Sequence, residues 1–198
     1  VQREVLNRYH VTDAGSFYAG DDVWSVPNDP TVEQATPLPP YYLSLKMPEE
    51  EQGAFSLTTS WIPQQSDDNT RNVMYGFMSA NGDAGTGKDG EVSDQYGKLT
   101  LLELPRSSVV PGPGQAQNNF NSDTEVSTEL NLLRQGASKV TNGNLLTLPV
   151  GGGEILYLEP IYAERKDQDS AFPKLLRVLV SYKGRIGYAP TIGEALEQ

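Results

Sequence analysis

Glycine and proline set the frame for this chain. Nineteen Gly and fourteen Pro stand among its 198 residues, about one residue in six, where about 12% is usual. Pro removes a backbone donor, and Gly costs about 1 kcal/mol in a helix interior. Such a chain favours strands with many turns over a helical bundle. Between the breaks, apolar residues recur at a spacing of two. Tyr41–Met47 alternates Leu43, Leu45 and Met47 against Tyr42, Ser44 and Lys46. Ala54–Trp61 alternates Phe55, Leu57, Thr59 and Trp61 against Ser56, Thr58 and Ser60. This is the pattern of half-buried antiparallel strands with one wet face, here the Ser/Thr face. Asn72–Met78 and Lys98–Leu104 read as further strands, with Ser79–Gly97 a polar, Gly-rich, mobile loop between them.

Helix signals are fewer. Val1, Val5 and Tyr9 form one stripe of a short helix. Residues 10–40 are rich in Pro, Gly and Asp and should be irregular, although Phe17, Tyr18, Val23, Trp24 and Val26 give them material to pack on a body. Ser122 with Glu125 has the spacing of a capping box, opening a helix to about residue 135 whose Val126, Leu130 and Leu133 share a face. A meander should follow: Ser138–Thr141, a turn at Asn142-Gly143, Asn144–Val150, a turn at Gly151–Gly153, then Glu154–Ala163, bent or unpaired at Pro160. Lys174–Tyr182 and Arg185–Tyr188 form a hairpin about Lys183-Gly184, and Thr191 with Glu194 caps a closing helix. The expected fold is α+β: an antiparallel or mixed sheet of six to nine strands with the 122–135 helix packed on it. Residues 1–40 would form an irregular arm and 41–198 a strand-rich body, within one domain.

Composition narrows the function classes. The formal net charge is −11. Residues 1–133 carry 7 basic and 19 acidic groups, and residues 134–198 carry 8 and 7. An acidic surface repels phosphate backbones and anionic lipid, so nucleic acid is not an expected partner. There is no Cys and one His, which removes thiol chemistry and a His-based zinc site. No run approaches the roughly 18 apolar residues of a membrane span, and no secretory leader pattern opens the chain. Beginning at Val1, it reads as a processed or excised segment.

The candidate sites are weak. Gly82–Asp89, GDAGTGKD, matches G-x-x-x-x-G-K but has Asp89 where Ser or Thr should hold magnesium. Asn81, Asp83, Asp89 and Glu91 offer oxygens without calcium-loop spacing. The acidic neighbours Asp21/Asp22, Asp67/Asp68 and Glu49–Glu51 read as exposed turn residues, since glycosidase chemistry needs carboxyls facing each other from separate elements. His10 reads as a helix-end residue facing the C-terminal dipole. The most unusual segment is Val110–Asp123, where Gln115, Gln117, Asn118, Asn119 and Asn121 crowd beside Phe120. Amides with an aromatic suit a neutral hydroxyl-rich ligand or peptide backbone. The plainer reading is a helix-rich connector whose amides bond nearby main chain. No nucleophile motif, metal motif or cofactor motif occurs, so no catalytic residue and no cofactor are expected.

Five strings are distinctive: YHVTDAGSFYAGDDVWSVPNDPT (9–31), PPYYLSLKMP (39–48), FSLTTSWIP (55–63), the long run from YGKLTLLELPRSSVVPGPGQAQNNF to EILYLEPIYAE (96–164), and FPKLLRVLVSYKGRIGYAPTIGEAL (172–196). They resemble uncharacterised protein family 0182, most specifically over 96–164 and least over the polar loop at 64–95. The resemblance implies a large, mainly actinobacterial protein of the cell membrane. Several N-terminal membrane helices precede a long soluble region in that family, and this chain corresponds to the C-terminal part of that region, outside the membrane. No catalytic residues are carried over. The expected role is therefore a non-catalytic assembly or ligand-binding module at the cell envelope. Its partners would be the protein's own transmembrane region, a neighbouring extracytoplasmic domain, or an envelope ligand. The competing readings are a polysaccharide hydrolase using two distant carboxylates and a calcium-stabilised domain.

Overall fold

The computed structural model describes residues 2–48, 50–65, 71–105, 109–136, 138–166 and 172–198. The elements run α1 (Gln2–Tyr9), α2 (Ala14–Ala19), β1 (Trp24–Ser25), β2 (Tyr41–Leu45), β3 (Ala54–Pro63), β4 (Gly76–Asn81), β5 (Leu99–Glu103), α3 (Pro113–Ser122), α4 (Thr124–Gln135), β6 (Ser138–Asn142), β7 (Leu146–Gly151), β8 (Glu154–Arg165), β9 (Lys174–Tyr182), β10 (Arg185–Ala189) and α5 (Ile192–Leu196). The fold is α+β. The strands form two antiparallel sheets of five, where one sheet of six to nine was expected.

In the first sheet the order is β1-β3-β4-β5, with β2 also on β3. In the second it is β10-β9-β8-β6, with β7 also on β8. The main core gathers side chains from both sheets with α3 and α4: Phe77, Leu104, Ala116, Phe120, Val126, Leu130, Tyr157, Ile161 and Leu179 among them. A smaller cluster of Leu158, Val178, Val180 and Ala189 lies on the other face of the second sheet, with Ala195 of α5. Burial on both faces explains why β8 and β9 read as nearly continuous apolar runs.

The expected meander is corrected at Asn142-Gly143. β6 and β7 do not pair with each other; both run antiparallel along the same edge of β8. The Gly143 N–H donates to Pro160 O at 2.7 Å. Gly is required there for close approach, since a Cβ would stand 2.7 Å from Pro160 Cγ and 2.9 Å from Tyr162 Cε2. Pro160 does not end the strand: it stays in register with Val178 of β9, and the irregularity falls just after it, between Ile161 and Tyr162. The true turns are Gly151–Gly153 and Lys183-Gly184, where every φ is positive.

Three further expectations shift. α1 seats Arg3, Leu6, Asn7 and His10, while Val5 and Tyr9 are exposed. The predicted strand at Asn72–Met78 forms only from Gly76, as β4. The Ser122–Glu125 capping box does not form: Asp123 is the cap of α4, accepting from the N–H groups of Glu125 and Val126 at 3.0 Å, while Ser122 Oγ donates to Asn119 O. Within residues 10–40, α2 is capped by Asp13, and β1 pairs Trp24 with Pro63, so this stretch is not irregular throughout.

The segment read as a connector is helix α3, capped from a distance. Gly112 stands at its N-cap and offers no side chain. Asn72 Oδ1 takes that place, accepting from the N–H of Gly114 at 3.1 Å and of Gln115 at 3.3 Å. Gly112 and Gly114 are small because Asn72 lies against them; a Cβ on Gly112 would strike its amide oxygen, and one on Gly114 would lie 2.6 Å from its Nδ2. Replacing a capping Asn by Ala typically costs about 1–2 kcal/mol. Asn72→Ala should lower unfolding stability by about that amount in urea titrations, whereas Asn118→Ala on the exposed face of α3 should stay within about 0.5 kcal/mol. Equal stabilities for the two variants would contradict this capping role.

Candidate functional site: a buried carboxyl beneath a polar cavity

Alternation along β8 sends Ile155, Tyr157, Glu159 and Ile161 to one side, towards α3 and α4. Three of these are core residues. The fourth, Glu159, is an acid with no solvent exposure. Asn142 Nδ2 donates to its Oε1 at 2.6 Å. Among the described residues its Oε2 has no hydrogen-bond partner, although the Gln117 amide lies near enough to favour the ionised form. Burial is the largest influence and disfavours the charge; Asn142 and Gln117 oppose it, Asp29 adds to it and Arg134 opposes it. The outcome is a carboxyl pushed up from its ordinary 4.5 to about 7.

Above it lies a cavity of about 310 Å³. The loop after β1 brings Pro30 and Thr31, α3 brings Gln117 and Asn121, α4 brings Ser127, Leu130, Asn131 and Arg134, and β6 brings Asn142. Thr31 is itself fixed: its N–H and hydroxyl both donate to Asp29 Oδ1, at 2.9 and 2.7 Å. Gln117 lines this cavity while only 3% exposed, and among the described residues its Oε1 has no partner.

The amide cluster named from sequence is divided by the helix. Gln117 and Phe120 face inwards with Ala116 and Pro113, at the spacing of a buried helix stripe. Gln115 and Asn118 are exposed and Asn119 is half-buried. Gln115 Nε2 donates to Asn119 Oδ1 at 2.9 Å. Of the amides named from sequence, Gln117 and Asn121 line the cavity. The sequence reasoning missed Glu159, Asn142, Arg134 and Asn131. One signal for Glu159 was present: a lone acid inside the apolar run ILYLEPIY, a place where an unpaired charge is costly.

The other candidates are accounted for locally. Gly82–Asp89 follows β4, but turns follow it and no helix does; Asp83 accepts from the Phe55 N–H at 2.8 Å. Glu50 accepts from the Thr100 hydroxyl. Glu49, Asp67 and Asp68 lie outside the described residues. His10 Nδ1 is 2.6 Å from Leu6 O at the end of α1, and its ring stacks on Trp24 with centroids 3.6 Å apart. Among the described residues, no group of three or more His, Cys, Asp or Glu could hold a metal ion, and no helix is long and apolar enough to cross a membrane.

A second feature lies on the first sheet. Its inner face carries Phe77 and Leu102 but also buried Ser56, Thr58, Ser60 and Ser79. The expected wet face is therefore the dry one. The opposite face is closed at one end, where Trp61 is fully buried and its Nε1 donates to Asn7 Oδ1 of α1 at 2.9 Å; elsewhere it presents Tyr42, Phe55, Leu99 and Leu101, at 64, 44, 60 and 39% exposure. Half-buried Leu57, Met78 and Ala80 join them through the register Tyr42↔Leu57↔Ala80↔Leu99 and Met78↔Leu101. Tyr42 and Phe55 stack at 5.3 Å. Beside α1 this face holds an open groove of about 490 Å³, lined by Leu6, Pro40, Leu57, Met78 and Leu99 among others.

The model of the uncharacterised protein family UPF0182 matches residues 1–133. The chain belongs to this family. A UPF0182 protein of Kocuria rhizophila is 68% identical over the whole chain, one of Paenarthrobacter aurescens 60% and one of Micrococcus luteus 59%. The chain spans only 19–20% of the length of these relatives, so this UPF0182 segment corresponds to part of a larger protein. No solved structure matches it.

Because Glu159 binds its proton more tightly in the fold than in the unfolded chain, the fold should lose stability as pH rises from about 4.5 to about 7. The loss attributable to this group is on the order of 3 kcal/mol. Glu159→Gln should remove that decline, so denaturant titrations of the two proteins should diverge across this window. Parallel profiles would contradict the assignment.

Proposed function

We propose that this chain is a non-catalytic assembly module, displayed outside the cytoplasmic membrane by a larger membrane-bound polypeptide. The remainder of that polypeptide seats on the open apolar face of the first sheet. The observation that carries this reading is the inverted strand chemistry of β3 and β4. Ser56, Thr58, Ser60 and Ser79 are buried while Phe55 is exposed and Leu57 and Met78 are half-buried. A free-standing antiparallel sheet sends its apolar face to the core and its polar face to water. Contiguous apolar surface of this kind marks an interaction site. The relatives supply an occupant: about four-fifths of their length lies outside the matched region. The membrane setting follows the resemblance to UPF0182.

Cysteine labelling tests the docking. The chain has no Cys; with any cysteines elsewhere in the full-length protein replaced by Ser, Leu99→Cys and, on α4, Leu132→Cys (64% exposed) introduce two addresses. In the full-length protein in its membrane, maleimide should modify position 99 about tenfold more slowly than position 132, or slower still. Equal rates at both positions would refute docking on this face.

A further inference from the structure

The cavity above Glu159 lies away from the apolar sheet face and has its own logic. Gln117 lines it while almost wholly buried, and among the described residues its Oε1 has no hydrogen-bond partner. Such a group is costly to bury unless something donates to it. The rest of the wall is amide, hydroxyl and one guanidinium: Asn121, Asn131, Asn142, Ser127 and Arg134. Amides and hydroxyls both donate and accept, which matches ligand groups that do the same. The charge of Arg134 is set against that of Asp29, both close enough to act, with opposite signs, on the buried Glu159 carboxyl. The site therefore favours neither a strong anion nor a strong cation. Asn142 spends its Nδ2 on Glu159, which leaves its Oδ1 as an acceptor. At about 310 Å³ the space is at the small end of ligand sites and fits one ring, not a chain.

We propose that this cavity binds a small neutral polyhydroxylated ligand, of the size of a single sugar ring or a cyclitol, with Asn142 accepting from its hydroxyls and Arg134 and Asn131 donating to them. Glu159 is a positioning residue: it holds the Asn142 amide and does not itself reach the ligand.

The test is nuclear magnetic resonance of the side-chain amides of Gln117, Asn121, Asn131 and Asn142, titrated with glucose, arabinose and myo-inositol. Inorganic phosphate and putrescine serve as charged probes. The expected result is a saturable shift of these amides with at least one polyol and with neither charged probe. Asn131→Ala should weaken that binding about fivefold, and Asn118→Ala should leave it unchanged. If Asn131→Ala disturbs the fold, Asn121→Ala, also an exposed helix residue of the wall, reads the same loss. Absence of saturable shifts with every polyol would overturn the proposal and leave the cavity to solvent. A response to phosphate or putrescine in their place would overturn the ligand class.

Discussion

Strand β8 bears the interior of this domain, because both of its edges and both of its faces are occupied. β6 and β7 share one edge and β9 fills the other. Its outer face packs Leu156 and Leu158 into the cluster that includes Ala195 of α5. Its inner face meets α3 and α4. From that face Tyr157 donates its hydroxyl to Pro111 O at 2.6 Å, just ahead of α3, and Asn142 of β6 donates to Glu159. A strand with no wet side has nowhere to hide a carboxylate, so the amides around Glu159 are part of what allows it there.

Local chemistry was legible in the sequence where the deciding interactions are themselves local. The Lys183-Gly184 hairpin, the triple-Gly turn and the Thr191 cap depend on residues a few positions apart, and β9 spans the Lys174–Tyr182 arm expected of that hairpin. The misreadings share a cause: a distant partner overrode a local motif. Asn142-Gly143 resembles a hairpin turn, but β8 accepts both flanking segments and pulls them into line. Ser122 resembles a cap, but Asp123 is better placed once α3 occupies the preceding residues. The start of α3 carries no local cap signal, because its cap comes from Asn72, some forty residues earlier.

The functional surfaces were less legible for a related reason. Period two assigns side chains to two faces of a strand but does not say which face is buried. For β3 the Ser/Thr face is buried throughout, whereas on the expected inner face Trp61 is buried, Leu57 and Thr59 are half-buried and Phe55 is exposed. At the polar cavity, one helix side reached the right residue: Gln117 was singled out, yet Gln115 and Asn118 turn away from it. The other walls come from α4, β6 and the loop after β1, an assembly that no local spacing encodes. Glu159 alone left a trace, as a charge in an apolar strand. Both surfaces belong to a UPF0182 segment that is a fifth of its relatives' length, and each is left open within it.

The most direct test of this account is the ionisation of Glu159 itself, followed through the chemical shift of its carboxyl carbon as pH is changed. A midpoint near 7 is the predicted result. A midpoint in the ordinary range, near 4.5, would mean that the carboxyl is not held in a dry interior, and the organisation of the core around β8 described above would be wrong.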